Sequence, residues 1–258
     1  MHFEILNVGY ASCALLVDDN GSTALFDCGA TGVGTTPHKR LAELGAREVS
    51  WLTVLNYDED HVSDLPTLIQ RYPIRVLERN PTVSADTLRS MKRTSGPLSA
   101  AMVQLAGMIE SYTGGGVAVA SSFPRARWET FYNPYPTFQD TNGLSAVVFL
   151  DAGGLQVCLP GDLTAAGWRS LLANARFRQR LGEVQVFVAS HHGREDGYCP
   201  EVFEVCRPNV VVISDGPIRY TTQEMVAAYA RHTSGVPFGG QTRKVLTTRC
   251  DGSIHWNP

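Results

Sequence analysis

The chain lacks the features that mark several large classes of protein. Its six cysteines, at positions 13, 28, 158, 199, 206 and 250, include no Cys-x-x-Cys pair, which argues against a zinc ribbon and a thioredoxin-like motif. No apolar run approaches the roughly 18–20 residues that span a bilayer, and the first residues lack the basic start and apolar middle of a secretory signal. We therefore expect a cytoplasmic protein with no membrane contact and with reduced, mostly buried cysteines.

Strong charge and internal repeats are also missing. The net charge is −3, so the chain as a whole has no positive field that would attract nucleic acid, although a local basic groove is compatible with that average. No repeat of about 20–50 residues is present, which argues against a solenoid. The 258 residues, 43% hydrophobic and 18% charged, fit one large layered α/β domain over residues 1–258.

Short β-type runs alternate with helical patterns in both halves of the chain. The first half begins as a β-meander, followed by a helix over Thr36–Leu44 and a strand over Val49–Leu55 that is apolar enough to be buried on both faces. Residues 84–112 have helical patterning that breaks at 95–97 and ends at Gly114–Gly116, and we interpret about 80–140 as an insertion of helices and loops. Two β-rich halves with interspersed helices predict an αββα sandwich of two mixed β-sheets with outer helices. The other main expected elements are helices over Leu65–Tyr72, Ala165–Ala173, Pro200–Cys206 and Thr222–His232 and strands over Ser145–Leu150, Gln156–Leu159, Val184–Ala189, Val210–Ser214 and Lys244–Thr248.

Three polar segments follow apolar strands, and each contains potential metal ligands. They are Asn56–His61, Leu159–Asp162 and Ser190–Gly193. Carboxylates and imidazoles at strand ends can converge in space although they are far apart in sequence. Oxygen and nitrogen ligands without thiolates suit zinc, manganese or iron. A bridging Asp could hold two ions about 3.5–4 Å apart, and such a pair would favour hydrolysis.

Each segment alone also has a purely structural interpretation. The acids of the first segment could cap the next helix and pair with arginines. Gly161-Asp162 is a common turn, and His191-His192 could be one core histidine and one exposed histidine. The order of the three segments, their spacing and their shared position at strand ends favour a metal site.

Taken together, these residues resemble the metallo-β-lactamase fold, and in particular the hydrolase domain of ComEC competence proteins. That fold has a His-x-His-x-Asp-His loop after a buried strand, a later bridging Asp and a further His. The ComEC branch has Asp at the second His position, as at Asp58 here. The likeness covers nearly the whole chain outside about 80–140. Its later motifs are matched by Asn142-Gly143-Leu144-Ser145, Gly161-Asp162, His191-His192-Gly193, Ser214-Asp215-Gly216 and Thr248–Ile254.

The resemblance implies metal ligands and residues that support them. Asp60 and His61 would hold one ion, Asp58 with Asn56 would hold the other, and Asp162 would bridge them. Of the two adjacent histidines, His192 is favoured because Gly193 follows it. The implied ligands are Asn56, Asp58, Asp60, His61, Asp162 and His191 or His192, and the implied supporting or substrate-contacting residues are Asp27, Ser145, Arg194 and Asp215.

The chain also departs from the family pattern. Asn56 stands where the family has its first His, and a neutral amide oxygen is a weaker ligand than imidazole. Arg194 replaces the Ser that follows His-His-Gly, and residues 218–222 replace the usual Gly-His-Pro. These departures put one of the two ion positions and some of the substrate contacts in question.

The function that the resemblance implies is a phosphodiesterase or nuclease that uses one or two zinc or manganese ions, with Asp60 and Asp162 catalytic. Its substrate would be DNA, RNA or a nucleotide, its phosphates would meet Arg194, Arg219 or Arg243, and a protein partner is conceivable. Two alternatives stay open. The protein could be a degenerate, noncatalytic fold that binds a nucleic acid, a nucleotide or a protein. It could also hydrolyse an ester or thioester, because one fold hosts many chemistries.

Overall fold

The computed structural model describes residues 1–93, 96–113, 122–217 and 225–258. Within these residues the strands form two six-stranded mixed sheets and one short hairpin. The first sheet runs in the order Ile254–Trp256 (β14), His2–Ile5 (β1), Ala14–Val17 (β2), Thr23–Phe26 (β3), Trp51–Thr53 (β4) and Leu77–Glu78 (β5). The second runs in the order Val245–Thr247 (β13), Val210–Ile213 (β10), Val186–Val188 (β9), Leu155–Leu159 (β8), Ala146–Ala152 (β7) and Ala126–Tyr132 (β6). The hairpin pairs Val236–Phe238 (β11) with Gln241–Arg243 (β12).

Each sheet combines antiparallel and parallel pairs. In the first sheet β14, β1, β2 and β3 pair antiparallel, whereas β3, β4 and β5 pair parallel. In the second, β6, β7 and β8 pair antiparallel, whereas β8, β9, β10 and β13 pair parallel. The carboxyl ends of the parallel strands β4, β8, β9 and β10 carry the polar segments that the sequence singles out.

Alternating side chains place one face of each sheet against the other sheet and one face against helices. On β7, Val148 and Leu150 enter the core between the sheets, whereas Val147 and Phe149 enter an outer core. This alternation is what a strand period of two produces when both faces are buried. The predicted αββα sandwich of two mixed sheets is confirmed.

The helices cover the outer faces of the two sheets. None of the described helices is long and apolar enough to cross a bilayer. Beside the first sheet lie Pro37–Glu43 (α1), Glu59–Val62 (α2), Leu65–Arg71 (α3), Ala85–Arg93 (α4) and Ala100–Ser111 (α5). The remaining helices are Ala165–Leu172 (α6), Ala175–Gly182 (α7), Val202–Val205 (α8), Val226–Ala230 (α9) and Thr248–Asp251 (α10), with 3₁₀ turns at Ser190–Gly193 and Glu195–Gly197.

Several described elements are missing from the sequence prediction, among them α2, α7, α10, the β11–β12 hairpin and β14. Helix α7 has few apolar residues, but Phe177 and Leu181 share one face, and the Asn174 side chain caps its amino end. After β13 the chain crosses to the first sheet, where β14 pairs with β1. Of the predicted helix Thr222–His232, residues 222–224 lie outside the described residues, as do 94–95 and 114–121 of the predicted insertion.

The segment from 80 to 140 contributes to both layers. Helices α4 and α5 pack on the outer core of the first sheet, and β6 adds an edge strand to the second. All six cysteines are free. Cys250 is exposed and the others are buried, as most were predicted to be.

Glu78 of β5 links the open edges of the two sheets. Its Oε2 accepts hydrogen bonds from the indole N–H groups of Trp51 and Trp128, each at 2.9 Å. The hydroxyl groups of Thr53 and Thr130 donate to the same carboxylate at 3.0 and 2.5 Å. A carboxylate with four donors from both sheets joins them more strongly than neutral groups would.

Replacing Glu78 by Ala should lower the free energy of unfolding by about 2–4 kcal/mol, because buried donors lose their acceptor. Urea denaturation measures the change. Glu48→Ala is the matched control, since the Glu48 carboxylate is 38% exposed and pairs with Arg75, which is 62% exposed. That change should cost less than about 1 kcal/mol. Equal losses in the two variants would contradict a linking role for Glu78.

Candidate metal centre

Four side chains converge between the carboxyl ends of strands in both sheets. Asp60 and His61 lie in α2, which follows β4, whereas Asp162 follows β8 and His192 lies in the turn after β9. One ligand atom from each residue lies within 4.8 Å of those from the other three. Three of the residues are buried, and the Asp60 side chain is 25% exposed. The cluster therefore opens to solvent beside Asp60.

The orientation of His61 is set by Asp27. Nδ1 of the fully buried imidazole lies 2.6 Å from Oδ2 of Asp27, and the other carboxylate oxygen accepts the backbone N–H of Leu55 at 2.7 Å. Since a carboxylate accepts, Nδ1 carries a hydrogen, and Nε2 is the nitrogen that could bind an ion once its own proton is lost. Nε2 is buried and has no hydrogen bond among the described residues, although Oδ1 of Asp162 lies 3.0 Å away.

His192 is oriented in the same way by a backbone carbonyl. Its Nδ1 donates to the carbonyl oxygen of Ser214 at 2.8 Å, so Nε2 again faces the cluster. Nε2 lies 3.1 Å from Oδ2 of Asp60 and 3.8 Å from Oδ1 of Asp162. His192 and its neighbour His191 have φ values of 54° and 51°, a region that costs non-glycine residues energy and is concentrated at functional sites.

Close backbone contacts hold the turn that carries Asp60 and His61. The carbonyl of Asp60 accepts the N–H of Ser12 at 3.0 Å, and the carbonyl of His61 accepts the N–H of Cys28 at 2.8 Å. Gly29 packs so closely that a Cβ atom there would lie 1.6 Å from the Asp60 carbonyl oxygen. A side chain at this glycine would displace the ligand.

The imidazoles and carboxylates of the cluster stabilise one another's charged forms although they are buried. Burial disfavours the charged forms, but the carboxylates of Asp162 and Asp27 hold the pKa of His61 well above its usual range, and Asp162 and Asp60 raise the pKa of His192. In turn, the two imidazoles outweigh the effect of burial on Asp60 and Asp162 and lower the pKa of both carboxyl groups.

The donor set fits a divalent metal ion. Two imidazole nitrogens and two carboxylates, without thiolate, are ligands that zinc, manganese and iron accept. Both imidazoles have their second nitrogen held by an acceptor, which is the usual support for metal-ligating histidine. Among the described side chains, the buried Nε2 of His61 meets no hydrogen-bond acceptor in good geometry, and Oδ1 of Asp162 lies 3.0 Å from it. Asp60, His61, Asp162 and His192 could therefore hold one ion.

Asn56 and Asp58 are not brought into this group. The Asn56 amide oxygen accepts the N–H of Asp58 at 2.7 Å, and its amide nitrogen donates to the Ser145 hydroxyl at 3.0 Å and to Thr141 and Asn142. Asp58 instead forms an ion pair with Lys92 of α4. Both side chains of the predicted second ion position therefore have protein partners, and that position stays a prediction.

His191 lies beside the cluster in a different environment. Its Nδ1 is 2.9 Å from Oδ1 of Asp196, and its Nε2 is 3.7 Å from Oδ2 of Asp162 and 3.4 Å from the Arg194 guanidinium. Arg194 also hydrogen-bonds to Tyr10, whose ring packs on that of His192 at a centroid distance of 4.6 Å. These residues form one wall of the site.

The other predicted residues lie nearby or elsewhere. The Ser145 hydroxyl also accepts the backbone N–H of Asp162 at 3.2 Å, and so it supports the cluster. Asp215 pairs with Arg249 at 3.3 Å, outside the cluster, and Arg243 pairs with Asp251 at 3.0 Å. Arg219 lies outside the described residues.

Sequence reasoning missed Tyr10, Lys92 and Asp196. Tyr10 lies in the loop between β1 and β2, and Lys92 lies in the segment with no recognised motif. Asp196 follows the His-His-Gly motif closely enough to have been considered as a histidine partner. For the first two, only the packing of distant segments reveals their position beside the site.

Comparison with solved structures identifies the fold. Igni18, a metallo hydrolase from the hyperthermophilic archaeon Ignicoccus hospitalis KIN4/I, matches with a TM-score of 0.55 and 12% identity over 100% of this chain and 99% of its own. Zn²⁺-bound PqqB from Methylobacterium extorquens matches with a TM-score of 0.53 and 11% identity over 100% of both chains. These neighbours show that the chain has the metallo-β-lactamase fold.

CmlA, a diiron β-hydroxylase from Streptomyces venezuelae, also matches, with a TM-score of 0.55 and 13% identity over 99% of this chain. The chain spans about half of CmlA, 54% of its length. No protein-family model and no curated protein match the chain. The likeness to ComEC stays a prediction.

Asp27→Asn should weaken the binding of Zn²⁺ or Mn²⁺ by about 10–100-fold. The amide would donate to Nδ1 of His61, move the imidazole hydrogen to Nε2 and remove the lone pair from the cluster. Asn tolerates the φ of 63° at this position, so the fold should persist. Isothermal titration calorimetry measures the affinity. The control is Asp64→Asn, because Asp64 pairs with His38 at 2.7 Å away from the cluster. An equal loss in both variants would contradict the assignment.

Metal binding should strengthen as pH rises through the neutral range. The pKa values of His61 and His192 are raised, so both imidazoles retain protons to a higher pH than free histidine, and an ion must displace these protons. Calorimetry in two buffers with different ionisation enthalpies counts the protons released, and we expect about one or two near pH 7. His38→Gln, a change away from the cluster, should leave the count unchanged. A pH-independent affinity would refute this account.

Proposed function

We propose that the protein is a metal-dependent hydrolase that acts on phosphodiesters. The observation that carries the proposal is the pair of buried imidazoles, His61 and His192, whose Nδ1 atoms are each held by an acceptor and whose Nε2 atoms face Asp60 and Asp162. Buried charges in proteins are either paired with one another or coordinate a metal ion. Igni18, which shares this fold, is described as a metallo hydrolase, and that description supports the assignment.

A divalent ion at this cluster would supply Lewis-acid polarisation and lower the pKa of a water molecule. The chain's own residues would position the reactants. Asp60 is partly exposed, so its carboxylate can accept a hydrogen bond from an attacking water. Asp162 is buried, and the Ser145 hydroxyl fixes its backbone N–H, which keeps its carboxylate between the two imidazoles.

Cationic side chains on two sides of the cluster support a phosphodiester as substrate. Arg194 lies 3.4 Å from His191 on the wall that includes Tyr10. Lys92 pairs with Asp58, two residues before Asp60. Arginine and lysine both suit phosphate oxygens, and the likeness to ComEC points to the same class. Zinc or manganese would be the ion, and DNA, RNA or a nucleotide the substrate.

A noncatalytic binding role is the second candidate. The observation that favours it is the Lys92–Asp58 pair, because it fills a place where the family pattern predicts a metal ligand. Under this hypothesis the remaining cluster would hold a structural ion. The same fold hosts ester and thioester hydrolysis, so the assay must include a carboxylic ester.

Asp162→Asn should lower phosphodiester hydrolysis by at least about 1,000-fold, since it removes a charge from the centre of the metal cluster. The assay follows bis-p-nitrophenyl phosphate and single-stranded DNA in the presence of Mn²⁺ or Zn²⁺, with p-nitrophenyl acetate in parallel. Asp86→Asn is the control, because the Asp86 side chain is 93% exposed and pairs only with Arg89 in the described contacts. That variant should retain full activity.

Three outcomes would overturn the proposal. Hydrolysis of the acetate alone would assign the protein to the carboxylic ester hydrolases. Metal binding without turnover of any of the three substrates would favour the binding role. Phosphodiester turnover that survives Asp162→Asn would place the reaction at another site.

A further inference from the structure

Tyr10 lies beside two of the four residues of the metal cluster. Its ring packs on the imidazole of His192 at a centroid distance of 4.6 Å. Two residues further along the chain, the N–H of Ser12 donates to the backbone carbonyl of Asp60 at 3.0 Å. Asp60 is the member of the cluster whose side chain is partly exposed. The half-buried Tyr10 therefore borders the side of the cluster that is open to solvent.

The loop that carries Tyr10 is held against the second sheet. The carbonyl of Ala11 accepts the Ser214 hydroxyl at 2.9 Å. Gly216 packs so closely that a Cβ atom there would lie 2.8 Å from the backbone nitrogen of Tyr10 and 3.1 Å from its Cβ. Because the carbonyl of Ser214 also accepts the Nδ1 hydrogen of His192, the same strand end positions the phenol and the imidazole. Tyr10 is thus fixed relative to His192.

The hydroxyl of Tyr10 lies close to both Arg194 and the cluster. Arg194 hydrogen-bonds to this hydroxyl, and its guanidinium is 3.4 Å from Nε2 of His191. Burial raises the pKa of the phenol, the Arg194 guanidinium lowers it, and the carboxylates of Asp162 and Asp60 raise it. Since the net shift is upward, the phenol keeps its hydrogen at neutral pH.

The direction of the hydrogen bond with Arg194 leaves the hydroxyl hydrogen of Tyr10 available. A guanidinium group can only donate, so the phenol oxygen is the acceptor in this bond. The carboxylates of Asp60 and Asp162 act on the phenol through their charge, and within the described residues neither accepts a hydrogen bond from it. The hydroxyl can therefore donate to a group that enters the site.

We infer that Tyr10 is a substrate-binding residue whose hydroxyl donates a hydrogen bond to a nonbridging phosphate oxygen at the metal cluster, and that Arg194 positions this hydroxyl. The inference rests on the proposed function. A hydrogen bond to an anionic oxygen is about twice as strong as one between neutral groups. Only two side-chain torsions place a tyrosine hydroxyl, so little conformational entropy is lost when it binds.

Phosphate binding tests the role of Tyr10 without reference to turnover. Tyr10→Phe keeps the ring on His192 but lacks the hydroxyl. Inorganic phosphate should therefore bind the Mn²⁺-loaded variant at least about tenfold more weakly, as the loss of one hydrogen bond to a charged group implies. The affinity of the protein for Mn²⁺ should not change. Isothermal titration calorimetry measures both affinities.

Tyr112→Phe is the matched control. The Tyr112 hydroxyl donates to the carbonyl of Ile74 at 2.8 Å. Ile74 precedes β5, at the amino ends of the parallel strands and therefore opposite the cluster. This variant should bind phosphate as the wild type does.

Three results of these titrations would overturn the inference. The first is unchanged phosphate binding in Tyr10→Phe, and the second is no phosphate binding by the Mn²⁺-loaded wild type. The third is an equal loss of Mn²⁺ and phosphate affinity in Tyr10→Phe, because Tyr10 would then support His192 and not the substrate.

A double-mutant cycle tests the positioning role of Arg194. Arg194→Met should weaken phosphate binding more in the wild type than in the Tyr10→Phe variant, because part of its effect passes through the hydroxyl. Equal effects in the two backgrounds would show that the guanidinium acts independently of Tyr10 and would overturn the positioning role.

The two proposals fail in distinguishable ways. Phosphate binding that depends on Tyr10, without turnover of any phosphodiester, would support the role of Tyr10 and refute the hydrolase. Phosphodiester turnover together with unchanged phosphate binding in Tyr10→Phe would do the reverse.

Discussion

The 2.6 Å hydrogen bond between His61 and Asp27 is the interaction on which the site depends. Asp27 follows β3, His61 follows β4, and both side chains are fully buried. The second oxygen of Asp27 accepts the N–H of Leu55, whose carbonyl accepts the N–H of Ala146 at the start of β7. One carboxylate therefore sets the tautomer of a ligand and begins a hydrogen-bonded path from the first sheet to the second.

Other features of the site are energetically unfavourable by themselves. Burial raises the pKa of Asp27 even though the His61 imidazole and the Leu55 N–H favour its charged form. His191 and His192 add backbone strain, since both have a left-handed conformation that glycine usually adopts. A protein retains such features where the surrounding structure holds them in place and where they are useful. A cation shared by Asp60, Asp162 and the two imidazoles would offset much of this cost.

The two halves of the site differ in the side chains that they offer. One half offers imidazole and carboxylate ligands, whereas the other half has an amide, a hydroxyl and a carboxylate already paired with Lys92. Under the proposed function, catalysis would depend on an ion held beside Asp60.

The local sequence determined the polar strand ends and the layered architecture, because strand alternation, apolar runs and turn residues act over a few neighbours. The strand-end segments that contain Asp60, His61, Asp162 and His192 stand out in this way, whereas the supporting role of Asp27 was implied by the family resemblance. Only the tertiary structure decided that β14 joins the first sheet and that Lys92 pairs with Asp58. It also decided that the amide nitrogen of Asn56 donates a hydrogen bond to the Ser145 hydroxyl. Those contacts join residues up to about 250 positions apart. Their geometry depends on how whole sheets and helices pack, which no local pattern encodes.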